Sequence, residues 1–431
     1  MNMKIKSIRA WEILDSRGNP TVAAEVVLEN GLVGRSGVPS GASTGSYEAV
    51  ELRDNDEGRY NGLGVLAAVK NVNEIIAPAL VGLEIENQNH LDQKMIDLDG
   101  TENKAKLGAN AILAVSLACA RAAAASLGQP LYQYLSKFNP RFAGKFSLPV
   151  PMMNVLNGGK HANWATDIQE YMILPIGAKH FFFFFMMCAE IYQALKKTLK
   201  DQGYSVNVGD EGGFAPAVSS NEEAFRLLTE AVVAAGYSLG EEVVFGIDAA
   251  ATEFFADGLY NLKKEGKSMS SSQMIGFYQD LAERHPIISF EDILSEDDWQ
   301  GFKDFSLAFN NEVQLVGDDL YVTNVSRLKR GIEEKTSNSI LIKLNQIGTL
   351  SETVAAINLA LENSMTAVIS HRSGETEDSF IADLSVAMGT GQIKTGAPAR
   401  SERTAKYNRL LEIEAELGEL GTYANFPFAV R

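Results

Sequence analysis

Three acids stand at the ends of apolar runs. Asp248 closes Gly246-Ile247-Asp248, Glu291 follows Ser289-Phe290, and Asp318 follows Val316-Gly317. Carboxylates brought close together repel unless a cation bridges them. An oxygen-only set without a nearby His or Cys suits a hard ion such as Mg²⁺, which keeps waters for a substrate to replace. The plainer reading is that each acid caps a following helix. Three such acids on consecutive runs favour the metal.

Lys343 interrupts the apolar stretch Ser339-Ile340-Leu341-Ile342-Lys343-Leu344. A lysine held there is desolvated, and burial is expected to lower its pKa toward a neutral amine able to take a proton. A structural partner for a carboxylate and a Schiff-base lysine are the alternatives, and the latter leaves the acidic trio unexplained. Gly209-Asp210-Glu211-Gly212-Gly213-Phe214 surrounds adjacent acids with glycines, so the backbone can approach a ligand while Glu211 is offered into a site. Gln169-Glu170, read as ending the Asp167-Ile168 run, repeats the theme of an acid at a strand end. Ser370-His371-Arg372-Ser373 sets a guanidinium beside a hydroxyl, a clamp for phosphate or carboxylate, and Lys394 adds a second cation. Together these groups fit removal of a proton next to a carboxylate, followed by loss of a β-substituent. The weak carbon acid makes such a reaction depend on concentrated positive charge.

These groups must be brought together by the elements that carry them. Val243–Ile247, Ile287–Phe290, Val313–Val316, Ile340–Leu344 and Ala367–Ile369 are expected as buried strands. Helical patterns at Ser270–Arg284, Asn324–Glu334 and Leu350–Asn363 lie between them. Asp248, Glu291, Asp318, Lys343, His371 and Lys394 follow successive runs at intervals of 43, 27, 25, 28 and 23 residues. In an α/β fold of the (β/α)8 barrel type, the C-terminal strand ends share one rim and these six groups converge. A doubly wound open sheet is the competing fold, but it gathers ligands at one switch point and does not recruit every strand. The first part of the chain, residues 1–140, reads as a separate α+β capping domain, and 141–431 as the catalytic barrel. In the former, Thr21–Leu28 and Gly31–Val38 form a hairpin around Glu29-Asn30-Gly31. A small-residue loop, Pro39–Gly45, follows, then helices at Leu66–Leu80 and Ala109–Leu127, the latter stopped by Gly128 and Pro130.

Composition narrows the class. The 431 residues are 45% apolar and 22% charged, which excludes wholesale disorder. Lys+Arg 38 against Asp+Glu 55 leaves a net charge of −17, a balance that repels phosphate backbones and argues against direct nucleic-acid binding. Two cysteines, Cys119 and Cys188, provide no disulfide framework and suggest a reducing compartment. Met1–Leu14 lacks a signal-peptide core, and no apolar run approaches the ~20 residues of a membrane span. The expectation is a soluble cytoplasmic protein. His180 followed by Phe181–Phe185 is an oddity: on a helix, five consecutive Phe point all round, so some must face solvent or a partner.

Several strings together carry a resemblance. Asp15–Val22, Pro39–Gly45, Asn157–His161, Val208–Pro216, Leu341–Gly348, Ser370–Asp378 and Ser401–Arg403, continuing to Lys406-Tyr407-Asn408, stand in an order similar to the enolase (phosphopyruvate hydratase) family in its bacterial form. The resemblance implies a glycolytic lyase that reversibly dehydrates 2-phosphoglycerate to phosphoenolpyruvate through a Mg²⁺-stabilised enolate. It implies a barrel whose first strands depart from regular order. It assigns Asp248, Glu291 and Asp318 to the first Mg²⁺ and Ser43 to the second of two. Lys343 becomes the base and Glu211 the acid, supported by Glu170. His161, Gln169, His371, Arg372, Ser373 and Lys394 become substrate ligands, with Arg372 and Ser373 on the phosphate. It further implies a homodimer or an octamer of dimers.

Three departures stand out against the family pattern. Ile293 replaces a usual Pro and is expected to relax the loop behind Glu291. Trp164 is bulkier than the small or polar residues usual there. The Phe181–Met187 stretch replaces a normally amphipathic helix. A different acid-sugar substrate is a second reading, disfavoured because the Ser43 loop and Arg372-Ser373 presuppose a phosphate. A third is an added binding role with RNA-decay or surface-ligand partners, and with it a secondary cell-surface or secreted fraction.

Overall fold

The computed structural model describes residues 3–41, 45–178 and 180–428, and of His161 the backbone alone. Ser43, expected at the second metal, lies outside the described residues. So does the side chain of His161.

An antiparallel sheet of β1 (Ile5–Leu14), β2 (Pro20–Leu28) and β3 (Val33–Gly37) opens the chain. The β2–β3 hairpin turns where Asn30 Oδ1 accepts from the Leu32 amide at 3.1 Å. β1 carries no clear strand signal in the sequence, because its buried Ile5, Ile8 and Ala10 are interleaved with charged side chains. The helix Ala109–Ser126 packs under β2 and β3. Its alanines let the sheet come so close that a Cβ on Gly34 would sit 2.2 Å from the Ala118 carbonyl oxygen. This helix corrects one expectation: at 18 residues it is long and apolar enough, by length and composition, to cross a membrane, and 89% of it is buried within the fold. A further helix, Gln88–Asp99, lies beside it. The expected Leu66–Leu80 helix runs as Leu66–Asn71, Val72–Ile76 and Ala77–Leu80, the middle piece being a π-helical turn.

Eight strands close the barrel: β4 (Val150–Asn157), β5 (Glu170–Pro175), β6 (Val243–Asp248), β7 (Ile287–Glu291), β8 (Gln314–Gly317), β9 (Ser339–Ile342), β10 (Thr366–Ser370) and β11 (Gln392–Lys394). They neighbour one another in chain order, and β11 pairs back onto β4. β5 runs antiparallel to both neighbours, whereas the other adjacent pairs are parallel. That single reversal is the departure from regular (β/α)8 order that the resemblance implied. The helices Phe181–Asp201 and Asn221–Ala234 then carry the chain away and back between β5 and β6, with the Glu211 segment between them.

Strand periodicity explains why chemistry collects at one rim. Side chains alternate, so every second residue points into the barrel. On β8 and just beyond it, the inward column is Gln314, Val316, Asp318; on β9 it is Ser339, Leu341, Lys343. The lowest layer is a polar plug in which Gln314 Nε2 donates to Ser339 Oγ, Thr366 Oγ1 and Gln392 Oε1. The middle layer is apolar: Met152, Met172, Leu174, Val244, Ile288, Val316, Leu341 and Val368. The top layer holds the titratable groups.

Candidate active site

Neighbouring strands set Glu170, Asp248 and Glu291 level with one another. Glu170 is registered opposite Asp248 across β5–β6, and Asp248 opposite Glu291 across β6–β7. Glu170 therefore starts a strand and does not end one, as the sequence suggested. Because β5 is reversed, its first residue lies on the rim where the other strands finish. Lys394, at the end of β11, reaches across to all three: its Nζ lies 3.0 Å from Asp248 Oδ2, 2.7 Å from Glu291 Oε1 and 3.1 Å from Glu170 Oε2. All four side chains are buried. Burial alone would lower the Lys394 pKa, but Asp248, Glu170 and Glu291 outweigh it and hold the ammonium well above its usual range. Burial, with the charge of Asp248, pushes Glu291 up; burial, with the charge of Glu211, pushes Glu170 up. Removing one partner from a buried set of this kind costs about 3–5 kcal/mol.

This cluster fits a cation. Glu291 Oε2 is buried and has no hydrogen-bond partner among the described residues, a costly condition for a carboxylate oxygen. The helix-cap reading also holds in part, since Asp248 Oδ1 accepts from the Ala250 amide at 2.9 Å, while its other oxygen faces Lys394.

Asp318 faces a different partner. Its Oδ2 accepts from Lys343 Nζ and its Oδ1 from Gln346 Nε2 at 2.8 Å. The expected lowering of the Lys343 pKa is reversed here. Burial does work against the ammonium, as do the Arg372 and Lys394 charges, but the touching Asp318 carboxylate holds Lys343 above its ordinary value. Asp318 is correspondingly held below its own, burial notwithstanding, by Lys343. The most compact acidic group among the described residues is Asp292, Asp318 and Asp319, with one oxygen from each within 4.8 Å of the others. Asp292 is committed structurally, its two oxygens accepting the Asp318 and Asp319 amides at 2.8 Å each.

Across the recess sits Glu211. Its Oε2 accepts from Asn154 Nδ2 and its Oε1 from Ser373 Oγ, both at 2.9 Å. Gly213 lets this loop press on β4: a Cβ there would meet Asn157 Oδ1 at 2.4 Å. His371 Nε2 is 3.7 Å from Glu211 Oε2. Its Nδ1 lies 2.6 Å from Arg403 Nη1, and because a guanidinium only donates, Nδ1 accepts and the ring proton sits on Nε2, toward Glu211. Burial, reinforced by Arg403, keeps His371 neutral, well below its usual pKa. Arg403 also donates to the Arg372 carbonyl at 2.6 Å and the Asp210 carbonyl at 3.0 Å, tying the two segments together. Gln169 lines the same recess with Glu170, Glu211, Asp248, Lys343 and Lys394.

Arg372 is buried and already engaged. Its Nη1 donates to Glu48 Oε2 at 2.8 Å and to Asn345 Oδ1 at 2.9 Å, and its Nη2 to Glu48 Oε1 at 3.1 Å. Glu48, Asn154 and Arg403 were not singled out from sequence. Arg403 and Asn345 fall inside strings that carry the resemblance, but Glu48 and Asn154 had no local signal. Ile293, for its part, is fully buried, and its carbonyl accepts from Tyr278 Oη at 3.1 Å, so the loop behind Glu291 is packed, not relaxed. Trp164 takes φ +59, with Lys263 Nζ 5.3 Å from its ring centroid.

Two family models match the chain. Residues 5–135 match the one described as Enolase, N-terminal domain, and residues 145–430 the one described as Enolase, C-terminal TIM barrel domain.

Proposed function

This chain belongs to the enolase family, an enolase-type lyase by its two matched domains, and from that premise we propose that it interconverts 2-phosphoglycerate and phosphoenolpyruvate. The observation that carries the reading is the sharing of one recess by Lys343, Glu211, Arg372, Ser373 and the Asp248 cluster. Arg372 and Ser373 take the substrate phosphate, and Lys394 is the protein cation left for its carboxylate end. Lys343 removes the α-proton. Burial and its cationic neighbours favour the neutral amine this requires, and Asp318 is the group that opposes them. Glu211 gives a proton to the departing β-hydroxide. Beside it, burial first and then the Glu211 charge hold Glu170 well above the usual carboxylate range, so Glu170 is placed to keep a proton next to the acid.

The family uses Mg²⁺. Asp248, Glu291 and Asp318 are the residues that would hold one ion, and Ser43 with the phosphate a second. When bound, such ions supply the positive charge that a substrate carboxylate needs as it gains negative charge. Homodimeric or octameric assembly and a cytoplasmic location belong to the same proposal.

The test is the absorbance of phosphoenolpyruvate formed from 2-phosphoglycerate, with and without Mg²⁺. Formation that depends on the ion and stops with chelator supports the reading. Absence of product, or activity indifferent to chelator, overturns it.

A further inference from the structure

The Arg372 guanidinium, placed above on the substrate phosphate, is gripped by a carboxylate of the protein itself. Both Glu48 oxygens engage it, at 2.8 and 3.1 Å, and the paired side chains are only 3% and 7% exposed. The contact is built, not incidental. Glu48 Oε1 also accepts from the Gly45 amide at 2.9 Å. The neighbouring residues are fastened to the barrel: the Ser46 amide donates to Glu296 Oε2 at 3.1 Å and Tyr47 Oη to Asp297 Oδ1 at 2.9 Å, with the Arg327 guanidinium 3.8 Å from the Tyr47 ring centroid.

We propose that Glu48 is a resident competitor for the anion clamp and thereby sets which anions the site admits. Two carboxylate oxygens engage a guanidinium through the same kind of paired N–H donors that two phosphate oxygens use. An incoming monoanion brings no more charge than Glu48 and lacks its tether, so it loses the competition. A phosphate dianion brings twice the charge and a third acceptor oxygen, and displaces it. Glu48 is thus a specificity-determining residue that selects dianions over simple carboxylates. The inference rests on the reading that Arg372 takes the phosphate.

Calorimetric titration of the full-length protein with inorganic phosphate, and separately with acetate, tests it. Glu48→Gln and Glu48→Ala should each bind inorganic phosphate about tenfold more tightly or better, since a buried charge pair no longer has to be broken first. Both should also bind acetate measurably where the unaltered protein does not. Phosphate should raise the melting temperature of either variant more than that of the parent, which also verifies that each is folded. Unchanged or weaker phosphate binding in both folded variants overturns the proposal. Arg372→Ala separates the two layers of argument. If it retains phosphate binding, the clamp assignment itself fails. If it loses binding while the Glu48 variants gain none, only the competitor role fails.

Discussion

Lys343 and Glu211 reach one recess from different segments of the rim, and their surroundings divide the work between them. Lys343 is surrounded by charges that act on its own proton: Asp318 in contact, with Arg372 and Lys394 beyond. Glu211 accepts its hydrogen bonds from neutral donors, Asn154 Nδ2 and Ser373 Oγ, beside a neutral His371, with the Glu170 and Lys394 charges acting from beyond. Removal of the α-proton and departure of hydroxide are therefore separable. Lys343→Ala should lower both α-hydrogen exchange and phosphoenolpyruvate formation by about 10²–10⁴-fold or more. Glu211→Gln keeps the side-chain shape and should reduce elimination by a similar factor while exchange persists. Incubating 2-phosphoglycerate in D₂O and following deuterium at the α-carbon by NMR distinguishes them. Exchange lost equally in both variants would show that Glu211 does not act after proton removal.

At the scale of elements, the barrel was legible wherever an apolar run ended in a charged residue. Asp248, Glu291, Asp318, Lys343, His371 and Lys394 all lie at or just past strand ends. What escaped did so for physical reasons. Glu170 looked like a strand end because strand direction is not written in hydrophobic pattern; it begins a reversed strand. Sequence alone gives the Lys343 shift the opposite sign, because burial is visible in an apolar run and the touching Asp318 is not. The phenylalanine run reads as continuous, yet Phe181, Phe184, Met187, Cys188, Ile191 and Tyr192 make an ordinary buried helical stripe, leaving Phe182 and Phe183 53% and 45% exposed. The helix is thus amphipathic after all, its first amides accepted by Glu414 at 3.0 Å. The following helix, Asn221–Ala234, positions the site from behind. Asn221 Oδ1 accepts the Asp167 amide at 2.9 Å, two residues before Gln169. Its N-terminal turn is secured by Glu223, whose Oε1 accepts from Tyr204 Oη at 2.5 Å and Oε2 from the Ser219 amide at 2.6 Å; these bonds hold its pKa at about 2, down from 4.5. A depressed carboxylate stabilises the fold above its unfolded pKa and ceases to as pH falls through the folded one. Glu223→Gln should therefore cost about 1 kcal/mol at neutral pH. The gap to the parent should close between pH 4.5 and about 2, read by urea unfolding at each pH. A gap independent of pH would mean the contribution is packing, not charge.

For the whole molecule, the question is how a chain of net charge −17 presents an anion site, and why the capping domain is needed for it. Local cations answer the first part: Lys343, Lys394, Arg372 and Arg403 converge within the barrel mouth. The second turns on the segment just after Arg372 and Ser373, which the N-terminal domain holds like an added strand. The Ser40 amide donates to the Gly374 carbonyl at 2.7 Å, the Gly374 amide to the Ser40 carbonyl at 3.0 Å, and the Ser16 amide to the Glu375 carbonyl at 2.8 Å. Asp378 fastens the far end of that segment. Its carboxylate accepts from Ser36 Oγ at 2.7 Å and the Gly37 amide at 3.1 Å on β3, from Arg121 on the Ala109–Ser126 helix, and from the Phe380 amide at 2.9 Å within the barrel domain. Burial pushes this acid up, but Arg121 and the other donors outweigh it and keep it ionised. Asp378→Ala leaves four donors without that acceptor at a part-buried junction, a loss of about 2 kcal/mol. If docking of the domain is what aims the clamp, the melting temperature should fall and the KM for 2-phosphoglycerate should rise several-fold, with kcat changed less, because Lys343 keeps its Asp318 contact and Glu211 its Asn154 contact, neither of which passes through Asp378. A lowered melting temperature with an unchanged KM would mean that the barrel alone orients Arg372 and Ser373, and that the capping domain contributes stability without shaping the anion site.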